Sequence, residues 1–147
     1  MPSTPEQDVT PSRRRLGLYW QQSTFDAARA AYVADLNHRP GAPLGFAAWV
    51  EAALIDHVDR TPRERADLAA GLDPESARQG IPRPIWMDRA TITALEDAVR
   101  EERGAGRMLS QSALASEAIR LAIASARDRS GGTLPPPPAR LPNKPIR

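Results

Sequence analysis

The chain contains no cysteine, so it has neither a disulfide framework nor a thiolate metal site. Aromatic residues make up only 5% of its 147 residues. Lysine is almost absent: nineteen of the twenty basic residues are arginine and the remaining one is Lys144. That bias fits a GC-rich genome and equally fits phosphate recognition by planar, always-charged guanidinium groups. No apolar run approaches the roughly 20 residues needed to cross a bilayer, and Met1 to Thr10 lacks the apolar core of a signal peptide. These absences predict a cytoplasmic protein with no membrane partner.

Strong charge of one sign is also lacking. Residues 1–15 carry three Arg against two acids, 16–80 six basic residues against nine acids, 81–130 eight against seven, and 131–147 three against none. Positive charge therefore collects at Arg13-Arg14-Arg15 and in the C-terminal segment. The middle is nearly neutral, a weaker basic signature than the usual electrostatic footprint of a nucleic-acid binder. His38 and His57 have no third ligand at a recognisable spacing, which predicts no metal. No Gly-rich phosphate loop and no Ser–His–acid arrangement is present, so neither an enzyme nor a cofactor is expected.

What the chain does have is repetition. Leu18, Trp20, Phe25 and Tyr32 fall on Ile85, Met87, Ile92 and Val99 when the numbering is shifted by 67. Trp49, Ala53, Leu54 and Val58 fall on Leu114, Ala118, Ile119 and Ile123 at a shift of 65. The order is strand, helix, helix, twice, and a unit too small to bury its own apolar face needs a second copy. The boundaries predicted are a disordered basic tail over 1–14, a first repeat over 15–60, a partly helical linker over 61–80, a second repeat over 81–129, and a disordered Pro-rich basic tail over 130–147. In the linker, Thr61-Pro62-Arg63-Glu64 reads as a capping box with Pro at the first helical position, and Gly71 as a stop. Asp88 and Ser110 or Ser112 are read as helix N-caps.

The two strands, Arg15 to Gln21 and Arg83 to Asp88, are too short to form independent sheets. Paired antiparallel, they roof a helical core, with Leu16, Leu18, Trp20, Ile85 and Met87 inward. Arg15, Gly17, Tyr19, Gln21, Pro84 and Trp86 then face outward. Pro82 and Pro84 are tolerable only if their missing N–H groups point to the open edge of the ribbon.

This pattern resembles the ribbon-helix-helix DNA-binding family. Residues Pro84 to Asp88, Ile92, Leu95, Ser110-Gln111-Ser112 and Glu117 to Arg120 are similar to its strand, first helix and Ser-started second helix. Tyr19-Trp20, Phe25 to Tyr32 and Phe46 to Leu54 are similar to the same segment in actinobacterial ParB-type plasmid centromere-binding proteins. The resemblance spans about two thirds of the chain and implies a mainly α fold with a short two-stranded antiparallel ribbon, a tandem ribbon-helix-helix pseudo-dimer. It further implies a sequence-specific double-stranded DNA-binding protein, a plasmid partition protein or a transcriptional repressor, with the ribbon in the major groove. Carried over by residue, the base readers are Arg15, Gly17, Tyr19, Gln21 and Trp86. Phosphate contacts fall to Ser110, Gln111, Ser112, Gly45 and Phe46, the last two at a helix start that lacks a Ser or Thr cap, while Arg13, Arg14 and Arg15 read equally as a phosphate-contacting arm or as a solvated basic tail. Self-association on DNA and a partition ATPase are the implied partners, with an Arg among Arg13 to Arg15 in a flexible tail as the ATPase contact. The alternative is a protein–protein adaptor that keeps the fold without base readout, favoured by the near-neutral core, Pro84 and Trp86.

Pairing of the two strands within one chain predicts a 16.0 kDa monomer by light scattering. A species of twice that mass would mean that like strands pair between chains.

Overall fold

The computed structural model describes residues 12–75 and 80–142. In chain order the elements are β1 (Arg13–Leu16), β2 (Tyr19–Trp20), α1 (Gln22–His38), α2 (Phe46–Val58), α3 (Pro62–Ala69), β3 (Ile81–Pro82), β4 (Ile85–Asp88), α4 (Arg89–Gly104) and α5 (Gln111–Arg129). The molecule is mainly helical, and no described helix is long and apolar enough to cross a membrane.

Alternation in the two strand segments dictates how they meet. β1 pairs antiparallel with β4, Arg13 facing Asp88 and Leu16 facing Ile85. β2 pairs antiparallel with β3, Tyr19 facing Pro82. Both ladders share one register, and the Arg83 N–H donates to the Leu18 carbonyl between them at 2.9 Å, so they form one interrupted ribbon. In an antiparallel pair, hydrogen-bonded and non-bonded positions alternate. With Arg83 bonded, Pro82 and Pro84 fall at the non-bonded positions, where a missing N–H removes no rung. Gly80 continues this strand so close to its neighbour that a Cβ there would lie 3.0 Å from the Trp20 carbonyl oxygen.

Beneath the ribbon, Leu16, Leu18, Trp20, Ile85 and Met87 are buried among the helices. α1 is rich in alanine, the best helix former, and stops at Arg39, which adopts the extended backbone that a following proline requires. Its mate in the core is chiefly α5, while α2 packs on both α4 and α5. Trp20, Phe25, Phe46 and Trp49 form a run of aromatic contacts, Trp20 edge-on to Phe25 at 5.2 Å. Burying such rings contributes most per residue to a core this small.

Buried acids hold the helix ends. Asp35, in the last turns of α1, accepts from Trp49 Nε1 at 2.8 Å and from Arg129 Nε and Nη2 at 2.9 Å. Sixty-seven residues on, Glu102 occupies the same place in α4 and accepts from Arg65 Nη1 at 2.5 Å and Arg107 Nε at 2.8 Å. Arg65 is itself 1% exposed and also donates to the His57 and Val58 carbonyls at the end of α2. The capping box of Thr61 and Glu64 starts α3 and thereby aims Arg65 at this point. Arg107 continues the network to both oxygens of Glu117, which also accepts from His57 Nε2 at 3.1 Å. Because the Arg60 guanidinium only donates, His57 Nδ1 accepts from it at 2.9 Å and Nε2 donates to Glu117.

Three boundaries differ from the sequence reading. Arg13 and Arg14 belong to β1, because each finds a cross-strand partner in β4, so the predicted tail gives way to strand from Arg13; residues 1–11 lie outside the described residues. Gln21 is the N-cap residue of α1 rather than a strand residue, its carbonyl accepting from Phe25 N–H. Residues 130–142 carry no regular secondary structure yet lie on the helices, contrary to the expected disorder: Leu134 and Leu141 pack on the core, Arg29 donates to the Pro138 carbonyl, and the buried Tyr32 hydroxyl donates to that of Pro142. The prolines there present free carbonyls that α1 side chains can reach. Residues 143–147 lie outside the described residues.

Arg65→Ala should cost about 3–5 kcal/mol in urea unfolding followed by circular dichroism, because it strips a charge partner from buried Glu102. Burial alone raises the Glu102 and Glu117 carboxyls. Hydrogen bonds from Arg107 and Arg65 to Glu102, and from His57 and Arg107 to Glu117, outweigh it and hold both below the ordinary glutamate value. A lowered folded value contributes stability above the unfolded value of about 4.3, lost as pH falls through the folded one. Stability should accordingly drop on acidification below about pH 4.3, and Glu117→Gln should lower it at neutral pH while flattening that acid limb.

Candidate nucleic-acid interface

The outer face of the ribbon is set by the same alternation that buries its inner one. Its rows run Arg13, Arg15, Gly17 and Tyr19 on one strand against Asp88, Trp86, Pro84 and Pro82 on the other. Tyr19 is 59% exposed and Trp86 55%, high values for aromatic residues in a small domain. Glycine and two prolines between them leave the middle of the face low and free of polar side chains.

The charges on this face are not equivalent. Arg13 donates to the Trp86 carbonyl at 3.0 Å, pairs with Asp88 at 3.4 Å and lies 3.8 Å from Glu51. Its charge is locally compensated. Arg14 and Arg15 are exposed and, among the described residues, neither guanidinium makes an ion pair. Arg15 stands on the outer row opposite Trp86, whereas Arg14 stands opposite Met87 on the inner row, projecting beyond the core at the end of the ribbon.

Each ribbon edge is held by a second helix of the fold. Tyr19 N–H points off the edge and donates to Ser112 Oγ at 3.1 Å, which docks the first turn of α5 against the ribbon. Ser110 caps that helix by accepting from Ala113 N–H at 3.0 Å, and Gln111 Nε2 reaches Glu96 at 3.4 Å. On the opposite edge, Asp88 N–H and Thr91 Oγ1 both donate to Glu51 Oε2 of α2, at 3.0 and 2.7 Å. The N-terminal N–H groups of a helix carry partial positive charge and favour an anion. The start of α5 presents them beside Tyr19.

The residues named from sequence thus divide into groups. Arg13, Arg15, Gly17, Tyr19 and Trp86 share one face, with Arg14 at its end and Ser110, Gln111 and Ser112 at its flank. Gln21 lies past the paired ribbon. Gly45 stands at the N-cap of α2 with φ +121°, and its N–H donates to Tyr32 Oη at 2.9 Å. Phe46 is partly buried among Trp20, Phe25, Tyr32 and Trp49, so its ring belongs to the core.

Two participants escaped the sequence reading. Asp88 was assigned to cap α4, yet its side chain makes no cap hydrogen bond and instead faces Arg13. Strand alternation from Pro84 through Trp86 already places it outward. Glu51 holds the ribbon edge from within α2, and an acid flanked on both sides by apolar residues, Trp49-Val50 and Ala52-Ala53, was the available signal. Among the described residues no group of three or more His, Cys, Asp or Glu could hold a metal ion.

Comparison of the chain with protein-family models, with curated proteins and with solved structures finds no match.

Proposed function

We propose that the chain is a sequence-specific double-stranded DNA-binding protein of the ribbon-helix-helix kind, in which one polypeptide supplies both halves of a pseudo-dimer. The observation that carries this reading is the ribbon face: a single-register pair of strands with Arg15, Tyr19 and Trp86 outward, beside the start of α5. A two-stranded ribbon fits the major groove, where every base pair shows a distinct pattern of donors and acceptors. The exchange of helix partners between the halves and the matching buried acids, Asp35 and Glu102, support the tandem repeat.

The residues take distinct roles in this reading. Arg15 is the principal base reader, able to grip guanine O6 and N7 in bidentate fashion. Tyr19 adds a hydroxyl, and Trp86 meets thymine methyl groups or sugar. The start of α5 engages phosphates at the Tyr19 end of the ribbon and Arg14 at the other end, where Asp88 neutralises Arg13, so the two ends hold DNA by different groups. An asymmetric operator follows. Plasmid partition and transcriptional repression both use such binding and both imply a cytoplasmic, DNA-associated protein without catalytic activity. The partition ATPase remains a proposed partner without an assigned arginine, because Arg13 to Arg15 form a strand and not a flexible arm. The adaptor reading has its own support in the pairing of Arg13 with Asp88 and in the exposed Tyr19 and Trp86, which suit a protein partner.

Selection of duplexes from a random pool, followed by fluorescence anisotropy at about 50 and 200 mM salt, tests the proposal. A selected duplex should bind in a salt-sensitive manner. Arg15→Ala should lose about 1–3 kcal/mol on that duplex and little on unrelated DNA. Arg14→Ala should weaken all duplexes alike and reduce the salt slope by about 1. Failure of any duplex to bind at the lower salt would overturn DNA binding in favour of the adaptor.

A further inference from the structure

Away from the ribbon, α1, α5 and the segment after α3 enclose an open cleft of about 400 Å³. We propose that this cleft binds a small amphipathic organic anion, an aromatic or branched carboxylate or sulfonate of roughly twenty non-hydrogen atoms, a size suited to pockets of about 300–1,000 Å³.

Its walls carry the two chemistries such a ligand needs. Ala27, Ile123, Ala124 and Leu72 supply an apolar lining. At the rim, Arg120 and Arg127 stand on one face of α5, seven residues apart and so two turns along the helix. The Arg120 guanidinium donates to the Asp73 backbone carbonyl, which leaves its charge unneutralised by any carboxylate in contact. Among the described residues Arg127 makes no side-chain ion pair or hydrogen bond. Against these two cations the lining holds one carboxylate, that of Asp73, so the rim favours an anion.

Glu75 bridges the two helices, accepting from Thr24 Oγ1 of α1 at 3.1 Å and from Ser116 Oγ of α5 at 2.7 Å. This bridge occupies the place that Glu51 and Thr91 fill in the other half of the molecule, where the carboxylate comes from the helix itself and reaches across directly. Ser116 stands where Glu51 would repeat and is too short to do so. The chain after α3 is therefore drawn in to supply the missing carboxylate, and the detour opens the cleft between Gly71–Asp73 and α5.

Titration of the ¹⁵N-labelled chain with 8-anilinonaphthalene-1-sulfonate, an aromatic sulfonate of about the right size, tests the proposal without reference to DNA. Saturable shifts should centre on residues 23–27, 71–73 and 120–127. Arg127→Ala should weaken binding about tenfold, the scale of a lost charge-assisted hydrogen bond. Ala124→Phe, which fills the cleft, should abolish those shifts while leaving the rest of the spectrum folded. Shifts centred on Tyr19 and Trp86, non-saturating shifts, or folded variants with wild-type affinity would overturn it. Should a variant unfold, the shift map of the unaltered chain decides alone.

Discussion

The antiparallel pairing of residues 13–20 with 81–88 is the constraint on which everything else rests. Neither strand could persist alone, and the helices that follow each of them share one core. Pairing brings together segments almost seventy residues apart and fixes, through one register, which side chains face the helices and which face away. A slip of one residue would expose Leu16, Leu18 and Trp20 and drive Arg15 and Tyr19 inward. The prolines reinforce the register. At non-bonded positions Pro82 and Pro84 remove no rung, whereas a one-residue slip would set both in rungs they cannot complete.

Polar groups then lock what hydrophobic pairing aligns. Glu51 and Ser112 satisfy backbone N–H groups that an isolated ribbon would leave open along its edges. Asp35 and Glu102 draw arginines from distant segments to the ends of α1 and α4. No described buried side-chain polar atom is left without a partner, so these charges are enclosed without orphaned donors. Removing one partner from such a group costs far more than the pair contributes net, which makes the network a strict test of geometry and a modest source of stability. The same economy shows on the ribbon, where Arg13 is spent on Asp88 and Arg15 is left available.

Much of this was legible in the residues. Period-two alternation in Leu16-Gly17-Leu18-Tyr19-Trp20 and in Ile85-Trp86-Met87 correctly set the buried face. Thr61-Pro62-Arg63-Glu64 forms the capping box its composition announces, because all the information lies within four residues. What could not be read was long-range polar pairing. Nothing near Arg13 in sequence indicates Asp88, and nothing near Tyr32 indicates the Pro142 carbonyl, so the start of the ribbon and the course of 130–142 were taken for tails. Phe46 reads from sequence both as core and as the start of a helix, and its ring packs with Trp20 and Phe25 from other elements. The helix start after Gly45 was placed correctly, and the Gly45 N–H donates to Tyr32 Oη, a partner thirteen residues back that no local pattern announces.

The central claim is that the ribbon face meets DNA. The most direct measurement is an amide chemical-shift map of the full chain, recorded as a selected duplex is added. The account predicts that the largest changes fall on Arg15, Gly17, Tyr19 and Trp86 and on the first turn of α5, with the outer faces of α1 and α3 unmoved. Changes confined to helices away from the ribbon would contradict it.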